Sequence, residues 1–131
     1  MQQVYIGPPL PIYHTGTVSK RATVAPQSTV TIVLKYLRAI QSIFVSNLTN
    51  PQPAMSQAMT GTYTIKIFQF MQEPHTPPTF DSTDGLFIAF TDYWGYIPVH
   101  QLCDGGAAHV YVVIRNHSLT DTIAVNITGE G

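Results

Sequence analysis

The sequence predicts an all-β chain folded as a single β-sandwich of about seven or eight strands behind an extended N-terminal arm. Three observations predict it. Apolar residues alternate with polar ones in short runs, the period of a strand with one buried face. Clusters of Pro, Gly, Asn, Asp and Ser separate those runs at short intervals. No segment carries a long helical periodicity, and 44% of the 131 residues are apolar, enough for one core.

The clearest run lies at the end of the chain. Val110, Val112 and Ile114 share one side of an extended segment, and Ile123, Val125 and Ile127 do the same after a polar break from Asn116 to Asp121. Asn, Ser and Asp favour turns, so the stretch reads as a β-hairpin with one apolar face. A lone hairpin is unstable in water, so the rest of the chain must cover it.

The preceding elements follow in order. Residues 1–17 form the arm and residues 18–131 the sandwich domain. The arm has no charged side chain, and Pro8, Pro9 and Pro11 favour an extended path. Val4, Tyr5, Ile6, Leu10, Ile12 and Tyr13 are too apolar for a free tail, so the arm is expected to pack on its own sheet or, the reading favoured here, on a neighbouring molecule. Ser19–Val24 reads as a first strand, ended by Ala25-Pro26-Gln27-Ser28. Thr29–Leu37 alternates through Val30, Ile32 and Leu34. Leu37–Ser46 continues extended, with Ile43 and Val45 on one side and Phe44 on the other. Asn47–Thr60 is a long loop, with Met55 and Met59 spaced for one helical turn. Thr62–Met71 is a strand in which Tyr63, Ile65 and Ile67 face one way, and Phe68 and Phe70 the other. That change of parity predicts a bulge or a strand end buried on both sides. Gln72–Gly85 is loop, Leu86–Thr91 a short strand, residues 92–98 an aromatic turn, and Val99–Cys103 another short strand.

Charge narrows the function. Charged residues are 10% of the chain, against about 25% in an average domain, which suggests that partners cover much of the surface. Residues 1–66 carry Lys20, Arg21, Lys35, Arg38 and Lys66 and no acid, whereas residues 67–131 carry all seven acids and Arg115. Interleaved halves would neutralise one another locally, and separate faces would let copies meet head to tail. The scattered cations are too few for a nucleic-acid footprint. No apolar run has the length of a membrane span. No basic segment followed by an apolar one marks an export signal, so synthesis in a cytoplasm without export by the general route is expected.

No reaction or cofactor emerges, and the chain is not expected to be an enzyme. The five histidines are scattered, without metal-ligand spacing. His100, Cys103 and Asp104 are neighbours, but residues three apart on an extended segment do not meet as a nucleophile and its base. Cys103 reads as a buried thiol. Asp81-Ser82-Thr83-Asp84-Gly85 echoes a calcium loop, yet lacks its terminal bidentate Glu and reads as a turn. Asn47, Asn116 and Asn126 open N-glycosylation patterns that a Thr-rich chain produces by chance. Tyr93, Trp94 and Tyr96 form a candidate ligand or interface loop, because aromatics bury a large area at low entropic cost.

The closing segment from Val110 to Gly129 resembles the last hairpin of many Ig-like and jelly-roll sandwich modules. Together with the small size, low charge and proline-rich arm, it looks like the small structural proteins of tailed-bacteriophage virions, and most like capsid cement (decoration) proteins. That resemblance implies a protein on the capsid exterior, as a trimer or dimer, whose arm and sandwich bind and stabilise the major capsid protein shell. Lys20 and Arg21 would then lie where arm meets body, facing acidic capsid residues. Other readings are a carbohydrate- or receptor-binding module built on Tyr93, Trp94 and Tyr96, or a tail or connector component.

Overall fold

The computed structural model describes residues 17–49, 63–91, 95–103 and 108–131. They form eight strands: β1 (Thr17–Val24), β2 (Thr29–Leu37), β3 (Ala39–Asn47), β4 (Tyr63–Phe70), β5 (Leu86–Thr91), β6 (Gly95–Leu102), β7 (Ala108–Asn116) and β8 (Ile123–Glu130). Two four-stranded sheets result, ordered β1-β8-β3-β6 and β2-β7-β4-β5. Every pairing between them is antiparallel.

The pairings β1–β8, β2–β7, β3–β6 and β4–β5 fold the first four strands back along the last four. The added pairs β3–β8 and β4–β7 wrap that double layer into a sandwich. This is the strand order of an eight-stranded jelly roll, and it decides between the two sandwich types that the sequence suggested.

The terminal hairpin is corrected by this topology. β7 and β8 lie in different sheets and do not pair. The polar break between them is a crossing from one layer to the other. Strict alternation reports a buried face but not which strand lies alongside. The same crossing occurs at Arg38, the single residue between β2 and β3, whose N–H donates to the Glu130 carbonyl at 2.7 Å.

The core lies between the sheets. Ile32, Leu34, Ile65, Ile67, Val112 and Ile114 from one sheet meet Val24, Ile43, Val45, Val125 and Ile127 from the other, all buried. Gly129 sits where a side chain has no room, since a Cβ there would lie 2.8 Å from the Ala39 carbonyl oxygen and 2.7 Å from Leu37 Cδ1.

β4 is buried on both sides, as its parity change predicted. Phe68 joins Tyr111 and Val113 in a second buried cluster on the outer side of its sheet, flanked by Val33, Phe70 and Phe80. The extra residue falls on β5, where the register shifts between the Ile67–Ile88 and Phe68–Leu86 pairs. The segment between β4 and β5 covers this cluster. Lys66 Nζ donates to the Phe80 carbonyl at 2.8 Å. The Phe80 ring lies 4.2 Å from Lys66 Nζ and 4.1 Å from the Arg115 guanidinium carbon. Glu73 reaches back to Lys35 at 2.9 Å.

The proposed aromatic turn is also corrected. Tyr96, Ile97 and Pro98 belong to β6 rather than to a turn. β6 is an edge strand, where proline's missing N–H removes no ladder bond that the sheet needs.

One end of the sandwich is tied together by side chains. Asn116, fully buried, donates from Nδ2 to the Val24 carbonyl at 3.0 Å and the Asp121 carbonyl at 2.7 Å, and its Oδ1 accepts from Ser118 N–H at 2.9 Å. Asn47 Nδ2 donates to Asp121 Oδ2 at 2.9 Å. The turn between β1 and β2 closes with Ser28 N–H donating to the Ala25 carbonyl. Gln27 takes φ 55° after Pro26, the left-handed position that a type II turn requires.

Candidate functional site

The two outer faces of the sandwich differ. Behind β2-β7-β4-β5 the outer side is occupied by the segment carrying Phe80. Behind β1-β8-β3-β6 the strand register sets out what the face presents, from buried Ala124 at one end to exposed Phe44 and Tyr96 nearer the middle. Arg21 pairs with Asn126, Asn126 with Phe44, and Phe44 with Tyr96, giving one transverse row across all four strands. The next row is Ser19, Thr128, Ser42 and Pro98.

The local sequence explains the row. In β3, Ile43 and Val45 are buried while Phe44 between them is 43% exposed; in β6, Ile97 is buried while Tyr96 is 58% exposed. Alternation leaves both rings no place in the core. Neither ring stacks on another described ring. The Arg21 and Asn126 side chains make no hydrogen bond or ion pair within the described residues. The remaining charge on this face, Glu130 at its end, accepts from Gln41 Nε2.

Lys20 and Arg21 are neighbours in sequence but serve opposite sides of β1. Arg21 belongs to the outer row. Lys20 shares the parity of Val18, Ala22 and Val24 and lines a groove of about 430 Å³ at the open seam between β1 and β2. Val18, Val33, Leu34 and Lys35 complete that groove. An exposed lysine on an edge strand also discourages another strand from adding there. The charge asymmetry of the sequence does not become two opposed faces, because β1 pairs with β8 and β2 with β7, interleaving the halves. Lys35 and Glu73 are one place where they neutralise. The Lys35 ammonium, through its hydrogen bond and its charge, holds the Glu73 carboxyl below its ordinary value.

Of the residues singled out from sequence, Val4, Tyr5, Ile6, Leu10, Ile12, Tyr13, Tyr93 and Trp94 lie outside the described residues, as do Met55 and Met59. Tyr96 is described and exposed, and its companion on the face is Phe44. Sequence reasoning missed Phe44 and Asn126 as partners. The signal for Phe44 was a large aromatic on the polar side of an alternating strand; for Asn126 there was none, because pairing is not written in one strand's pattern.

The other candidates resolve into structural roles. Asp81–Gly85 is a turn in which the Thr79 N–H donates to Ser82 Oγ at 2.8 Å. No group of three His, Cys, Asp or Glu side chains among the described residues could hold a metal ion. Cys103 is buried. Asn116 is sealed in the interior and Asn126 sits mid-strand in the centre of its sheet, so neither sits on a loop as a glycan acceptor would. Comparison with known proteins finds no matching family model, no similar curated protein and no similar solved structure.

Proposed function

We propose that this chain is a virion structural protein, a cement or decoration protein that binds the major capsid protein shell from the capsid exterior. Its action is burial of surface rather than a reaction, and it works in company with copies of itself as a dimer or trimer. The observation that carries the reading is where the uncharged N-terminal segment joins the body. It enters β1, the edge strand beside the groove of Val18, Val33 and Leu34, with Lys20 and Lys35 at the rim.

The groove sets Lys20 and Lys35 among Val18, Val33 and Leu34, and the segment that precedes β1 in sequence carries no charged side chain. Seating that segment on a neighbour takes none of its own side-chain charges out of water, which keeps the desolvation cost low. At roughly 25 cal/mol per Å² of apolar area, the side chains of Val4, Tyr5, Ile6, Leu10, Ile12 and Tyr13 supply several kcal/mol before ordering costs. Many copies on one shell multiply the effect through avidity. Lys20 at the rim favours acidic groups on the shell. Jelly rolls occur in viral capsid proteins and also in lectins and cupins, so the fold is compatible with the reading without assigning it.

The test is sedimentation of the full chain and of residues 17–131 with shells assembled from the major capsid protein of the same genome. The full chain is expected to travel with the shells and the shortened chain to remain at the top of the gradient. Equal attachment of both would remove the N-terminal segment from the mechanism, and no attachment of either would remove the cement role.

A further inference from the structure

We propose that the outer face of the β1-β8-β3-β6 sheet is a glycan-binding platform that takes an oligosaccharide carrying a carboxylate, such as a uronic or sialic acid. The proposal stands on the row Arg21, Asn126, Phe44 and Tyr96 and is independent of how the chain attaches to a shell.

The row has the two kinds of group that a sugar needs. A pyranose presents C–H bonds, polarised by their oxygens, on its flat side, and these are attracted to the negative face of an aromatic ring. Phe44 and Tyr96 are opposite one another on adjacent strands, both substantially exposed, with no described ring stacked on either. The sugar hydroxyls need donors and acceptors at the edge of the ring. Asn126 offers both from one carboxamide, and neither it nor Arg21 is engaged within the described residues. Arg21 closes the row with a planar, permanently charged fork suited to a carboxylate. Among the described residues, the acid on this face is Glu130, two rows along β8 from Asn126, so the charge nearest the row is that of Arg21. That sign selects an acidic sugar over a neutral one.

Size separates a glycan from a protein occupant. Four strands each about 4.8 Å wide and four side-chain rows each about 6.8 Å deep give a face of roughly 500 Å². A stable protein interface needs about 800 Å² on each partner. The row itself is about 14 Å long, the span of a short oligosaccharide. Its polar surroundings of Ser and Thr hydroxyls suit a hydrated sugar better than a dry protein contact.

The experiment is saturation-transfer NMR and calorimetry on the full chain with three probes: trigalacturonate, 3′-sialyllactose and maltotriose. Binding of either acidic probe, at least tenfold tighter than maltotriose, is expected, and the two acidic probes distinguish uronic from sialic recognition. Tyr96→Ala and Phe44→Ala, both at exposed positions, are expected to weaken it at least tenfold while leaving the thermal transition in place. Arg21→Gln is expected to abolish the preference for the acidic probe, and Asn126→Ala to weaken all binding. No binding of any probe, binding insensitive to Tyr96→Ala and Phe44→Ala, or equal binding of maltotriose that Arg21→Gln leaves unchanged would each overturn the proposal. So would a dimer of the full chain dissociated by Tyr96→Ala, which would assign the face to a second copy. The glycan outcomes do not bear on sedimentation with shells, and a dimer through Tyr96 would remove the glycan role while agreeing with the self-association proposed above, so the two readings fail separately.

Discussion

The side-chain amide of Asn116 donates to the carbonyl of Val24 across 92 positions of sequence, at 3.0 Å, in a site from which solvent is excluded. The same nitrogen serves Asp121, and the amide oxygen serves Ser118. One residue therefore fixes the end of β1, the end of β7 and the crossing to β8. Asn116→Ala would leave buried carbonyls without a donor, and a loss of about 2–4 kcal/mol in urea unfolding is expected. Asn116→Asp is expected to be at least as damaging near neutral pH, because a carboxylate would replace the donor that faces two carbonyl oxygens. A change within about 0.5 kcal/mol for both would show that the crossing is held by other contacts.

Gly129 marks the opposite end of the sandwich. A Cβ there would press on the Ala39 carbonyl, which is backbone and cannot swing away. Gly129→Ala is expected to cost about 1–3 kcal/mol by overpacking, seen as a lower Tm with the same circular-dichroism spectrum. An unchanged Tm would mean that the corner at Arg38 yields readily.

Phe80 holds the covering segment to the outer side of β4 and β7. Its ring lies between Lys66 and Arg115, two cations that it partly reconciles. Phe80→Ala is expected to remove about 1–2 kcal/mol of cation–π attraction and to raise hydrogen exchange and protease cleavage within residues 71–85. Protection of the core amides of β7 should persist. Phe68→Ala, by contrast, is expected to destabilise the whole fold by about 3–5 kcal/mol.

Acid should release the other anchor of that segment. Glu73 has its carboxyl lowered in the folded chain, first by its hydrogen bond to Lys35 and then by the Lys35 charge. A depressed carboxylate stabilises the fold above its unfolded-state value, and that contribution disappears as pH falls through the folded value. NMR titration is expected to show Glu73 protonating below the ordinary carboxylate range, with Lys35 resonances moving in the same step. Lys35→Gln should return Glu73 to the ordinary range, and an unchanged Glu73 titration would break the assigned cause.

Much of this fold was legible because burial imposes a period of two. Val30-Thr31-Ile32 and Ile123-Ala124-Val125 announced their strands, and the Phe68–Phe70 parity change announced a strand buried on both faces. What was not legible is partnership. The apolar faces of β7 and β8 look alike whether they share a sheet or face each other across a core, so the expected hairpin proved to be a crossing. Pro98 suggested a turn because a proline in a strand is tolerated only at an edge, and edges are known only from topology. The platform was half visible: Tyr96 stood out as an aromatic beside Gly95, but Phe44, Asn126 and Arg21 come from three other strands. Only the register brings them into line.

The central claim is that the first residues of the chain find their place on a neighbour. The direct measurement is amide hydrogen exchange across residues 4–13 in the full chain, alone and bound to capsid shells. The account predicts protection of Val4, Tyr5, Ile6, Leu10, Ile12 and Tyr13 only when shells are added. Equal protection of those amides in the isolated monomer would contradict it, because the segment would already be seated on its own sandwich.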